Sequence, residues 1–177
     1  MNRIQKNKEW LTFLNLVKNN NLNSVLEIGT GKGFCTLDFS LIAEGPIVSI
    51  DIDDRHDNIQ AAQEKDMLTK PIFIIGESQS EKVLKKVKNI NPFFDAIFID
   101  GQHGYDNVKK DYENCLSLIN KKRGIIGFHD ILVTHKPWFG VHILWEEIKK
   151  KHKTLDILQN PRSWGGIGVI LFGDIKT

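Results

Sequence analysis

The stretch SVLEIGTGKGFCTLDFS, residues 24–40, joins an apolar run to three glycines, Gly29, Gly31 and Gly33, and then to a segment able to form a helix. Glycines crowded at the end of a strand let the backbone approach a ligand closely. Working outward, six more short, apolar, β-branched runs suit buried strands: PIVSID, PIFIIG, FDAIFID, GIIGFHD, TLDILQ and GIGVILF. Helical periodicities lie between them. Trp10, Phe13, Leu14 and Val17 form one stripe of an opening helix that should end in the NNNLN turn. Val108, Tyr112, Cys115, Leu116 and Ile119 form a second stripe, and Leu144, Trp145, Ile148 and His152 a third. Strict alternation of this kind predicts an α/β fold with a doubly wound, mostly parallel seven-stranded sheet. The last two runs are separated only by NPRSWG, too short for a helical crossover, and so should pair as a C-terminal antiparallel hairpin.

The composition sets bounds on this reading. With 177 residues, 41% of them apolar, the chain can bury one core, and residues 1–177 are expected to form a single domain. No run is long and apolar enough to span a bilayer, and the start MNRIQKNKEW lacks the apolar stretch of a signal peptide, so a cytoplasmic protein with no membrane partner is expected. Cys35 and Cys115 lack metal-type spacing and read as reduced core thiols. A net charge of +2, with only local KKVK and KKKHK runs, gives little footprint for nucleic acid.

In open α/β sheets ligands sit beyond the carboxyl ends of the strands, where the topology reverses, and the glycines fall there. Their spacing is neither G-x-G-x-x-G nor the G-x-x-x-x-G-K-[ST] of a phosphate loop. Glu27 offers a carboxylate to a cation such as an α-ammonium group, while the glycines admit a methionine tail. Asp51, ending the second run, suits a ribose diol, with Asp53 and Asp54 as alternatives should Asp51 only cap a helix. Ser78 and Gln79, after the third, suit the edge of an adenine. Three successive strand ends thus fit amino acid, ribose and base.

On these motifs, and on FDAIFIDGQHGYDNVKKDYENCLSLINKKRGIIGFHDI, the chain resembles the class I S-adenosylmethionine (SAM)-dependent methyltransferases over almost its whole length. Within them it is similar to the small O-methyltransferase group of cephalosporin-biosynthesis and macrolide-sugar enzymes, and more distantly to catechol O-methyltransferase. The resemblance implies a Rossmann-like methyltransferase fold with SAM as cofactor. It implies contacts from Glu27, Gly29, Thr30, Gly31, Gly33, Asp51, Ile52, Ser78 and Gln79, with Asp100 beside the methyl group. The opening segment is shorter than in many relatives, whose N-terminal helices cover the substrate.

Metal-dependent relatives bind a divalent ion between a carboxylate after the fourth strand and acidic or amide groups after the fifth. Asp100, His129 and Asp130 fall at those places. Such a mixed set suits Mn²⁺, Fe²⁺ or Zn²⁺ somewhat better than Mg²⁺. IDGQH and FHD as purely structural turns of a metal-free protein remain the alternative. His103, three residues beyond Asp100 where catechol-type relatives carry a lysine, is the expected general base, with Asp100 its catalytic partner. His56, His135, His142 and His152 read as surface or helix-face residues. Trp138, Phe139 and Trp164 lie in loops that either edge the pocket or join the core.

The expected activity is methyl transfer to a hydroxyl of a small molecule or sugar. A SAM-binding module that has lost catalysis and serves as a partner or regulatory subunit is the alternative. A nucleic-acid methyltransferase would want an NPPY-type loop, which DGQH does not offer. Homo-oligomerisation is left open.

Overall fold

The computed structural model describes residues 6–54, 67–162 and 164–177. Each apolar run becomes a strand: β1 (Val25–Ile28), β2 (Ile47–Asp51), β3 (Ile72–Ile75), β4 (Ala96–Ile99), β5 (Arg123–His129), β6 (Thr154–Ile157) and β7 (Ile167–Gly173). The helices among the described residues are α1 (Asn7–Asn19), α2 (Phe34–Ser40), α3 (Glu81–Ile90), α4 (Tyr105–Cys115) and α5 (Val141–Lys149). The sheet runs β3-β2-β1-β4-β5-β7-β6. β1 to β5 pair in parallel, while β7 lies antiparallel to both β5 and β6. β1 sits between β2 and β4, so the chain leaves it to one side and returns on the other, opening a crevice at the carboxyl ends of β1 and β4.

The central strands β1 and β4 are buried throughout, which is why they read as unbroken apolar runs. One core layer, against α3, α4 and α5, contains Val87, Phe94, Tyr112, Phe128 and Trp145. The other, against α1 and α2, centres on Trp10, whose ring lies 5.1 Å from Phe98 and 5.3 Å from Phe39 in edge-on contact. The indole of Trp10 keeps its polar end satisfied by donating to Asp38 Oδ2 at 2.6 Å. Two expected stripes run past their helices. Ile119 follows the end of α4, in an isolated bridge to Phe94, and His152 follows α5, bonded to Tyr112 Oη at 2.8 Å. Periodicity continued into the next turn because both residues are still packed on the core side. No helix among the described residues is long and apolar enough to cross a membrane.

Two glycines set how closely the layers approach. A Cβ on Gly127 of β5 would lie 2.7 Å from the Phe13 ring of α1. One on Gly168 of β7 would lie 2.5 Å from the Trp145 ring of α5. Trp145 is 2% exposed and donates to Asp156 Oδ1 at 2.9 Å, so it has little freedom to retreat. Gly168→Ala should therefore cost about 1–3 kcal/mol through overpacking, read as a lowered midpoint of urea unfolding. An unchanged midpoint would mean that α5 lifts from the sheet without cost.

Candidate active site

The first glycine of the loop after β1 is required by the protein itself. Gly29 has φ +94°, and a Cβ there would run into the backbone carbonyl of Asp100 at the end of β4. Gly31, at φ +52°, faces open space. Gly33, at φ 78°, stands at the N-cap of α2 and does not border the cavity. The cavity bounded by this loop and the carboxyl ends of the strands has a volume of about 1010 Å³.

At one end of it stand Thr30, Gly31, Asp51, Ile52, Ser78 and Gln79. Asp51 accepts from Gly31 N at 2.8 Å through Oδ2 and from Asp53 N at 3.1 Å through Oδ1. Each oxygen keeps a lone pair for a ligand, and the two bonds fix where those lone pairs lie. Asp53 and Asp54 do not border the cavity, whereas Asp51 does. Ile52 is 56% exposed at its edge. The helix α4 adds Asn107 and Asp111, which sequence reading missed. Its signal was available, since Asp111 lies on the same stripe as Val108 and Cys115, where an acid has no packing reason to be.

Glu27 departs from expectation. It is 1% exposed and does not border the cavity. Its Oε2 accepts from Ser49 Oγ at 2.6 Å and from Thr36 Oγ1. Ser49 Oγ in turn lies 2.6 Å from Thr30 Oγ1. Burial pushes the Glu27 carboxyl up to about 8, against the lowering effect of the two hydroxyls. A strand residue points to one face only, and here that face is the inner surface of α2. Glu27 is thus a buried hub tying β1, β2, the glycine loop and α2, not an open carboxylate at a ligand.

At the far end Asp100, His103 and Asp130 border the cavity, and His129, which does not border it, is buried against the two aspartates. His129 Nδ1 lies 3.2 Å from Asp100 Oδ1 and 3.5 Å from Asp130 Oδ1. His103 Nε2 lies 3.5 Å from Asp100 Oδ1 and 3.4 Å from Asp130 Oδ2. Asp130, closing β5, takes the left-handed conformation at φ 63°, a strained state for a non-glycine residue. Although burial works to raise the Asp100 carboxyl, the His129 and His103 rings hold it down at about 2. Burial and then the charge of Asp100 raise Asp130 instead, even against His129. His129 is raised because the Asp100 charge outweighs burial.

These residues fit a divalent ion. One ligand atom each from Asp100, His129 and Asp130 lies within 4.8 Å of the others, and Asp130 Oδ1 is buried without a hydrogen-bond partner. The loop after β5 completes this end with Lys136 and Phe139. Phe139 stacks on the His103 ring at 4.4 Å, and Gly140 N donates to His103 O at 2.7 Å. Trp138 and Trp164 do not border the cavity, although both are exposed. Buried Cys35 does border it, against the expectation that neither cysteine belongs to a site. His135, His142 and His152 stand away from it, and His56 lies outside the described residues.

A family model described as a methyltransferase domain matches residues 26–131. No curated protein matches the chain. Among solved structures it is similar to the O-methyltransferase TomG of Streptomyces achromogenes, involved in tomaymycin synthesis and in complex with SAM. The match has 14% identity and a TM-score of 0.74, covering 97% of this chain and 82% of that one. It is also similar to an O-methyltransferase from Bacillus cereus in complex with SAH, at 20% identity and a TM-score of 0.70, covering 94% and 81%.

The buried hub carries a pH signature. Because its pKa rises from 4.5 to about 8 on folding, the native state holds the Glu27 proton more tightly than the unfolded chain. The stabilisation this gives is complete below the unfolded value and is lost as pH rises through the folded one. Glu27→Gln keeps an acceptor for Ser49 and Thr36 but cannot ionise. Urea unfolding across a pH series should show the variant losing less stability than the wild type over that window, the two curves diverging by up to about 1.4 kcal/mol per pH unit between the unfolded and folded pKa values. Parallel curves would place the titration elsewhere.

Proposed function

The chain belongs to the methyltransferase domain family, and from that premise we propose that it is a SAM-dependent O-methyltransferase acting on a hydroxyl of a small molecule or sugar. The observation that carries the reading is a single cavity with two chemically distinct ends. One offers Asp51, Ser78 and Gln79 to an adenosine, and the other presents Asp100, His103 and Asp130, with His129 buried behind them. The O-methyltransferases of like fold in complex with SAM and SAH support it. The acid and imidazole cluster favours an active enzyme over a binding module that has lost catalysis.

Bound SAM supplies a methyl group on a sulfonium, activated for in-line displacement by a nucleophile. Asp51 would accept from the ribose diol and Ile52 would flank the base, while the open space at Gly31 would admit the methionine portion. Asp100, His129 and Asp130 would hold a divalent ion, whose charge would lower the pKa of an acceptor hydroxyl.

His103 takes the acceptor's proton as the new C–O bond forms and the C–S bond breaks, leaving its electron pair on sulfur. The carboxylates of Asp100 and Asp130 at its Nε2 favour the tautomer with the proton on that nitrogen, leaving Nδ1 basic. The Phe139 face holds the ring in orientation.

Calorimetry should detect binding of both SAM and SAH, and Asp51→Ala should weaken it by about 1.5–3 kcal/mol, the scale of charged hydrogen bonds. Absence of binding by either ligand at millimolar concentration would end this reading.

Turnover of SAM to SAH, followed with a panel of hydroxyl acceptors, tests the other end of the cavity. His103→Ala should lower kcat by about 10²- to 10⁴-fold with SAH affinity unchanged, and a variant with wild-type kcat would remove His103 from the chemistry. Chelation by EDTA should abolish turnover and a single divalent ion restore it. Turnover indifferent to chelation would leave Asp100, His129 and Asp130 as positioning groups.

A further inference from the structure

The hydrogen bonds behind the Ser78 end of the cavity run in one direction. Ser78 Oγ lies 2.6 Å from Asp111 Oδ1. An ionised carboxylate can only accept, so the serine donates its single proton there. Its remaining hydrogen-bonding capacity consists of lone pairs. Next to it, Gln79 donates from Nε2 to the backbone carbonyl of Asn107, one turn earlier on α4, at 2.9 Å. That bond turns the amide nitrogen toward α4 and the amide oxygen away from it.

Asp111 is 1% exposed yet borders the cavity, and a Cβ on Gly101 would sit 4.0 Å from its Oδ2. Burial raises its carboxyl, while Ser78, Gln79 and then Lys110 of its own helix draw it back. A carboxylate this enclosed is costly to keep unless the hydrogen bonds it accepts are used.

We infer that Asp111 is a positioning residue for nucleobase recognition: by taking the Ser78 proton it presents the serine oxygen to the cavity as an acceptor only. That arrangement selects a 6-aminopurine, whose exocyclic amine donates, over a 6-oxopurine, whose oxygen would meet lone pair with lone pair. The inference rests on the reading that the adenosine of SAM occupies this end, and it adds what enforces the choice of base.

The probes are SAH and S-inosylhomocysteine, identical but for the amino or oxo group at C6, titrated by calorimetry into the full chain. The wild type should prefer SAH by about 10- to 100-fold, the ratio of one mismatched buried polar contact. Asp111→Ala frees the Ser78 hydroxyl to rotate and donate, so the ratio should fall to within about threefold, chiefly through tighter binding of the inosyl compound. Asp111→Asn keeps an acceptor for Ser78 and should restore most of the preference, whereas a merely structural role would lower the melting temperature and leave the ratio untouched.

A wild-type ratio in Asp111→Ala would overturn the inference. Should that variant fail to fold, Ser78→Ala decides in the same way, since losing the acceptor must also collapse the ratio. Equal wild-type affinity for both probes defeats the role of Asp111 alone. Binding of neither probe to the wild type defeats the cofactor reading, and the inference with it.

Discussion

The carboxyl ends of β1 and β4 meet where Gly29 leaves no room for a side chain. Ile28 O accepts from Asp100 N at 2.8 Å, continuing the parallel ladder to the last residue before the loops diverge. Any Cβ on Gly29 would push these ends apart, and Asp100 would move with β4. The relative position of the glycine loop and the acid cluster is therefore fixed by backbone contact, which is stiffer than any pairing of side chains. The crevice of an open sheet is usually described as the place where strand order reverses. Here the reversal is also a point of close backbone contact.

Around that contact, carboxylates of the same type are given different work by their surroundings. Asp100 has two imidazoles beside it and is held ionised. Asp130 shares those rings, but burial, and after it the charge of Asp100, pushes it the other way. Two acids close together cannot both ionise freely, and neighbours that separate their pKa values assign them separate roles. Glu27 is the third case, kept away from the cavity and raised by burial. Its charge is of little use there, but its capacity to accept two hydroxyl bonds holds β2 and α2 to the glycine loop.

The strands were legible because β1, β4 and β5 are buried on both faces, and such strands must be written as continuous apolar runs. Strand ends were legible for the same reason, and Asp51, Asp100, His129 and Asp130 are simply the residues that close those runs. Side-chain direction was not legible. Glu27 lies two residues before Gly29, but which face of the sheet it enters depends on the register with β2, where it pairs with Ser49. Residues arriving from elsewhere in the chain were also hidden. Asn107 and Asp111 reach the cavity only because α4 docks where it does, and the docking is set by tertiary contacts such as Gly140 N to His103 O at the start of that helix. Periodicity reports which face of a helix is buried, not what lies opposite it.

The left-handed backbone at Asp130 shows how far such docking extends. Strain of this kind persists only where the surroundings over-determine it. Directly after it, Val133 N donates back to Asp130 O at 3.2 Å, and Leu132 N donates to Gly165 O at 2.9 Å in the approach to β7. That approach is itself anchored from α1, where fully buried Glu9 accepts from Gly166 N at 3.1 Å and Gln159 N at 2.9 Å. A carboxylate in the first turn of the first helix thus braces the segment on which Leu132 leans, and Leu132 lies two residues from the strained aspartate. No residue of α1 borders the cavity, yet through these amide bonds the helix contributes to the geometry of the acid cluster.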